Sequence, residues 1–385
     1  MTDSNIDRRR FNHILAMSLG ATTLATVPAW AQAKKRNVVI GHTGITWPAR
    51  GGGRRGGGPP GAAPAGAPGG AAPAGAAPQG AGAPAAAAPA PGGPPAAGGP
   101  PAAGGSPAPG TQGMGAPGGR RGGGPPAPAD PEMNETIFKD VSELGFAGLE
   151  LFDWQINSLE TQGLLAGLVA KYKLPLVSSY TNINLTDPAM RAQTIAAAVS
   201  VGTIMKKYGG RTIVIGPSGR VGGPSYNFSE HKQNIVATLN ELGKAITDIG
   251  LCAAPHQHTG TAVETRDETY QTMEAVDTRY VKFGPDIGQL QKGGVDPVEV
   301  VKHFLPVVQH MHFKDWNGGP AMAGYCALGL GKVDLAGVLD LMEGRTLEGM
   351  IMVELDSGGQ MPYTPREAAE TARKFLIAQG VAMKA

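Results

Sequence analysis

The stretch APHQHTGT, Ala254 to Thr261, places two imidazoles one residue apart, and VVQHMHFKD does the same at His310 and His312. Each pair follows a short run of strand-forming residues. Side chains alternate along a strand, so His256 should share a face with His258, and His310 with His312. Carboxylates stand at comparable places elsewhere: Glu150 in GFAGLELF, Asp286 in YVKFGPD, Glu354 and Asp356 in GMIMVELDS. His42, Lys314 and Asp315 fall at such ends too. A lone strand histidine is usually a hydrogen-bonded core residue, and a lone carboxylate a cap or an ion-pair partner. Recurrence at the ends of several strands points to chemistry. Buried carboxylates without compensation are costly, so a converging set calls for a cation. Mixed imidazole and carboxylate donors suit Mn²⁺, Mg²⁺, Co²⁺ or Zn²⁺. No cysteine stands near these positions, which argues against a closed structural zinc site.

These groups can meet only if the strands that carry them end side by side. NVVIGHTGITW reads as a strand, and NETIFKDVSELG as a helix capped by Asn134 and stopped by Gly145. GFAGLELF is a strand followed by one helix, NSLETQGLLAGLVAKYK. LPLVSSYT, RTIVIGP, GLCAAPH and YVKFGPD are further strands. Helices are expected from Asp187 to Tyr208, Ser229 to Asp248, Thr265 to Val276, and over DPVEVVKHF. The strands VVQHMHFKD and GMIMVELDS, a helix around VDLAGVLDLMEG and a closing helix from Pro365 to Gln379 complete the pattern. Strict alternation means a parallel sheet, and eight units in about 250 residues favour a closed (β/α)₈ TIM barrel over an open sheet. Neither GxGxxG after the first strand nor GxxxxGK[ST] occurs, which argues against nucleotide-binding folds. In such a barrel the active site lies at the C-terminal ends of the strands.

Gly 59 and Pro 33 are far above ordinary usage, and with Ala they dominate residues 49–131. Glycine does not recur every third residue, so a collagen helix is excluded. Almost no branched or aromatic side chains are present to offset the ordering entropy, so this segment is expected to be disordered. It interrupts the loop between the first barrel strand (37–48) and the remainder of the barrel (132–385). Residues 1–33 have a basic start, an apolar middle and small residues at Ala31 and Ala33, the pattern of a cleaved export signal. Arg8-Arg9-Arg10-Phe11 resembles the twin-arginine motif, which implies a periplasmic or exported protein with no stable membrane insertion after cleavage. A net charge of +2 predicts neither nucleic-acid nor membrane-surface binding. Two cysteines are too few for a disulfide framework, and Cys252 reads as a buried small hydrophobe.

The motifs GFAGLEL, HQHTGTAVET, FGPDIGQ, HMHFKD, LGLGKVD and MVELD resemble the sugar phosphate isomerase/epimerase family with a xylose isomerase-like barrel. HQHTGT matches its inosose dehydratase-like branch. The resemblance implies a divalent metal held by Asp286, His312 and Glu354. Many members add a glutamate on strand five, where this chain has Ala254. His256 or His258 then supplies the missing ligand and the other serves as acid or base. With His258 as ligand, the metal set is His258, Asp286, His312 and Glu354, and the catalytic set Glu150, His256, Glu354 and Lys314. Gln289 replaces a histidine of many relatives, which argues against a multi-zinc, nuclease-like site.

The expected function is a metal-dependent isomerase, epimerase or lyase acting on a small sugar, keto-sugar or cyclitol. The metal would polarise a carbonyl, and Glu354 or a strand-five histidine would remove the neighbouring proton. Glu150 or the other histidine would return it, with Lys314 holding a substrate oxygen. The rivals are a non-catalytic periplasmic sugar-binding barrel and an endonuclease IV-like phosphodiesterase. The latter needs more ligands and a basic groove than this sequence offers.

Overall fold

The computed structural model describes residues 35–47, 128–356 and 361–384. The expected signal and nearly all of the Gly/Pro/Ala insertion lie outside these residues. Within them a parallel sheet curls through β1 (Ile40–Thr43), β2 (Leu149–Phe152), β3 (Leu176–Ile183), β4 (Thr212–Pro217) and β5 (Cys252–Pro255). β6 (Met311–Phe313) and β9 (Ile351–Val353) continue it on the other side of β1, in the order β5-β4-β3-β2-β1-β9-β6. The expected sixth strand, YVKFGPD, fills the remaining gap by isolated parallel bridges. Val281 pairs with Ala253 of β5, Phe283 with Val308, and Asp286 with His312 of β6. These close an eight-membered ring, the expected TIM barrel. Gly284 and Pro285 interrupt that segment, and proline donates no ladder hydrogen bond.

Sheet residues of β1, β4 and β5 are buried throughout, as a barrel covered by helices requires. Helices surround it: α1 (Pro131–Glu143), α2 (Asp153–Thr161), α3 (Leu165–Tyr172), α4 (Arg191–Lys206), α5 (Phe228–Asp248) and α6 (Arg266–Met273). α7 (Ile287–Lys292), α8 (Pro297–Phe304), α9 (Leu335–Met342) and α10 (Pro365–Ala378) follow. A two-stranded antiparallel hairpin, β7 (Asp315–Trp316) with β8 (Tyr325–Cys326), extends the chain beyond β6. The barrel interior below the mouth holds Val177, Met350 and Met352. Gly41 makes room for them, since a Cβ there would lie 2.4 Å from Met352 Sδ.

Local chemistry corrects three boundaries. Asn134 does not cap α1. Asp130 does, accepting from Glu132 N–H ahead of Pro131, while Asn134 is buried inside the helix. Just upstream, Ala129 is buried and its N–H bonds Ser158 Oγ at 2.8 Å. The single helix expected after β2 is two, because Gly163 adopts a left-handed φ of 70° between them. The helix expected from Asp187 begins as a 3-10 turn, Pro188–Met190, under an Asp187 cap.

Candidate active site

The C-terminal ends of the strands open into a small, solvent-open cavity lined by Thr43, Ile45, Glu150, Leu151, Phe152, Tyr180, His258, Glu354 and Asp356. Immediately beneath it the ionisable groups meet. Asp286 follows the irregular sixth strand and caps α7: its Oδ1 accepts from the N–H groups of Gly288 and Gln289 at 2.8 and 3.0 Å. That leaves Oδ2 facing inward, 3.7 Å from His256 Nε2. The His256 Nδ1–H donates to Gly284 O at 3.1 Å, so Nε2 presents a lone pair. Burial keeps His256 neutral, well below the usual imidazole range.

His312 lies between two carboxylates. Its Nε2–H donates to Glu150 Oε1 at 2.7 Å, and its Nδ1 abuts Glu354 Oε2. Burial opposes a charged ring here, but Glu354 and Glu150 outweigh it and hold His312 well above its ordinary value. Glu150 also accepts from Ser178 Oγ at 2.6 Å and faces His310 Nε2 at 3.1 Å. Burial pushes Glu150 up, but His312 and His310 prevail and bring it down to about 2. Lys314 Nζ stands 2.5 Å from Glu354 Oε1, 2.8 Å from Asp286 Oδ2 and 3.1 Å from Asp356 Oδ2. Burial opposes the charge on Glu354 as well, and His312 and Lys314 overcome it.

The donor set fits a divalent cation. His256, Asp286 and His312 each offer a ligand atom within 4.8 Å of the others. All three atoms are buried: Asp286 Oδ2 faces Lys314 Nζ at 2.8 Å and His312 Nδ1 faces Glu354, while His256 Nε2 has no hydrogen-bond partner. The buried lone pair of His256 Nε2 points toward the Asp286 carboxylate with no donor of its own, and a cation between them would relieve that cost. Charge favours the same conclusion: four carboxylates, Glu150, Asp286, Glu354 and Asp356, gather around His312 and the single ammonium of Lys314. Glu150 on the far ring nitrogen of His312 is the outer partner that metal-ligating histidines commonly have.

Of the strand-five pair, His256 is the one that stands beside Asp286 and His312. His258 is not beside Asp286. Its Nδ1–H donates to Thr259 O at 2.8 Å, and its Nε2 lies 2.7 Å from Gln289 Nε2, so both ring nitrogens are engaged. It forms part of the cavity rim. His256 takes the position next to Asp286 and His312. Between them Gln257 pins Asp286, donating to its carbonyl at 2.8 Å and accepting from its N–H at 3.3 Å. Gln289 holds His258 and accepts from Thr259 Oγ1 at 2.6 Å.

The other expected groups separate in role. Glu150 borders the cavity and has both oxygens engaged, one by Ser178 and one by His312, whose ring it orients. His310 sits deeper, its Nδ1 accepting from Met350 N–H. His42 packs edge-on against Phe146 and Trp47, and burial lowers it to about 4. Asp315 accepts from the backbone N–H groups of Trp316, Gly329, Gly331 and Val333, a structural hub. Tyr180 and Phe152 were not singled out from the sequence, yet both line the cavity. Tyr180 packs edge-on against His256, and burial pushes its phenol up, keeping it a donor. The available signal was their position at the ends of strands three and two.

Residues 138–379 match the family model described as xylose isomerase-like TIM barrel. An inosose dehydratase of Clostridium botulinum is 27% identical over 167 residues, 39% of this chain and 56% of that protein, so the match spans just over half of the relative. The solved structure of a probable 3-DHS dehydratase from Bacillus anthracis superposes with a TM-score of 0.53 at 16% identity, covering 63% of this chain and 92% of that one. A xylose isomerase-like TIM barrel protein from Mycobacterium smegmatis, solved in complex with magnesium, gives 0.52 at 19% identity, with 66% and 90% covered.

Proposed function

The chain belongs to the xylose isomerase-like TIM barrel family, and from that membership and the geometry of the mouth we propose that it is an enzyme that removes a proton beside a carbonyl of a small sugar, keto-sugar or cyclitol. The outcome would be isomerisation, epimerisation or loss of water. The observation that carries this reading is the convergence of His256, Asp286 and His312, with Glu354 against His312 Nδ1, beneath a solvent-open cavity.

His256, Asp286, His312 and Glu354 would hold a divalent cation, which supplies Lewis-acid polarisation of a carbonyl oxygen when bound. Glu150 fixes the His312 ring so that Nδ1 faces the site. Glu354 lines the cavity and is kept ionised by His312 and Lys314, so it meets the substrate as a base. Tyr180, protonated and at the cavity wall, donates to a substrate oxygen. Phe152 and Leu151 give an apolar wall against which the C–H face of a ring can lie. The relative's printed name, inosose dehydratase, supports a cyclic polyol ketone as the first substrate to try. Export through a twin-arginine-type signal remains part of the proposal, and fractionation of cells expressing the full chain tests it.

The test is solvent exchange. Purified protein is incubated in heavy water with an inosose, a ketohexose and a 3-keto-glucoside. Deuterium uptake beside the carbonyl, lost on chelation, restored by Mn²⁺ and missing in Glu354→Gln, is expected. Binding of these ligands without exchange contradicts the enzyme and supports a sugar-binding barrel.

A further inference from the structure

Lys314 is fully buried, and its ammonium, with three N–H bonds to give, is surrounded by three carboxylates: Glu354 at 2.5 Å, Asp286 at 2.8 Å and Asp356 at 3.1 Å. The fold makes a slot for it. The aliphatic stem crosses Gly288 in the first turn of α7, where a Cβ would lie 2.7 Å from Lys314 Cγ, 2.8 Å from its Cβ and 3.0 Å from its Cδ. The Tyr325 ring closes the other side, 4.9 Å from Nζ. Lys314 is not among the residues that line the cavity.

We infer that Lys314 is a positioning residue: a built-in counter-cation that holds the carboxylates of Asp286 and Glu354 at the mouth before any divalent ion arrives. The ligand set is then preformed rather than assembled by the ion. A lysine kept for a substrate oxygen would direct a free N–H bond into the cavity, whereas this one is enclosed by carboxylates. The inference rests on the proposed reading of Asp286 and Glu354 as ligands, but it is tested on the metal-free protein.

Thermal melting in excess chelator is compared for wild type, Lys314→Met, Lys314→Met with Asp286→Asn, and Gly288→Ala. Methionine keeps the stem over Gly288, so loss of packing alone is small. Lys314→Met is expected to melt roughly 10 °C below wild type, because three buried carboxylates lose their partner. Adding Asp286→Asn should recover much of that loss by removing one of the repelling charges, and Gly288→Ala should reproduce part of it by displacing the stem. Lys314→Met melting with wild type overturns the inference. So does a loss that Asp286→Asn deepens rather than recovers. If Lys314→Met does not fold, Gly288→Ala alone and with Asp286→Asn decides by the same criterion. Saturating Mn²⁺ should also recover Lys314→Met. Recovery by Asp286→Asn without recovery by Mn²⁺ upholds the role of Lys314 and counts against a metal at this site.

Discussion

Replacing Glu150 by glutamine tests the buried ion pair that orients His312. The change keeps the shape and the acceptor for Ser178 Oγ, which lies 2.6 Å away. It removes the charge that faces His312 Nε2 at 2.7 Å and His310 Nε2 at 3.1 Å. In the folded protein the carboxyl is lowered from 4.5 to about 2, because the two histidines outweigh the cost of burial. That difference corresponds to about 3 kcal/mol. A depressed carboxyl contributes all of its stability above its unfolded value of 4.5 and loses it as the pH falls through about 2. Glu150→Gln should therefore cost about 3 kcal/mol at pH 7 and about 2 kcal/mol at pH 3.5. Urea unfolding of the metal-free protein, followed by circular dichroism at both pH values, measures this. A penalty below about 1 kcal/mol at pH 7, or one that is unchanged between the two, refutes the ion pair.

The strand-five pair separates by metal content: His256→Ala should weaken Mn²⁺ binding roughly a hundredfold or more, while His258→Ala leaves it nearly unchanged, as measured by calorimetric titration. Asp315→Ala should cost roughly 3 kcal/mol in urea unfolding, since four backbone N–H groups lose their acceptor. Burial raises both Cys252 and Cys326 to about 12, so neither thiol should react with iodoacetamide at pH 8 until the chain is unfolded, as read by mass spectrometry.

Much of the architecture was legible because the chain alternates strands and helices with conventional punctuation. Thr265 and Thr364 cap their helices with Glu268 and Glu367 in capping boxes, and Asp296 precedes Pro297 at the start of α8. The misreadings have local causes. Asn134 has the right residue type for a cap, but Asp130-Pro131 upstream already satisfies the helix end. Alternation was extended too far at HQH. β5 ends at Pro255, so His256 and His258 lie beyond it, and the turn that Thr261 closes on His258 O carries the second ring to Gln289. Which groups share a strand end could be read from the pattern. That Glu150 meets His312 across 162 residues, leaving it no free oxygen, could not, because that contact depends on barrel register. Lys314 stands beside recognisable groups, but nothing local indicates that its ammonium would be enclosed by three carboxylates.

The most direct test of the site is a crystal of the protein grown with Mn²⁺ and measured at the manganese absorption edge. A single anomalous peak bounded by His256 Nε2, Asp286 Oδ2, His312 Nδ1 and Glu354, with Glu150 still on the far side of the His312 ring, is the expected result. A mouth without a peak at saturating manganese, or a peak held by His258 away from Asp286, contradicts it.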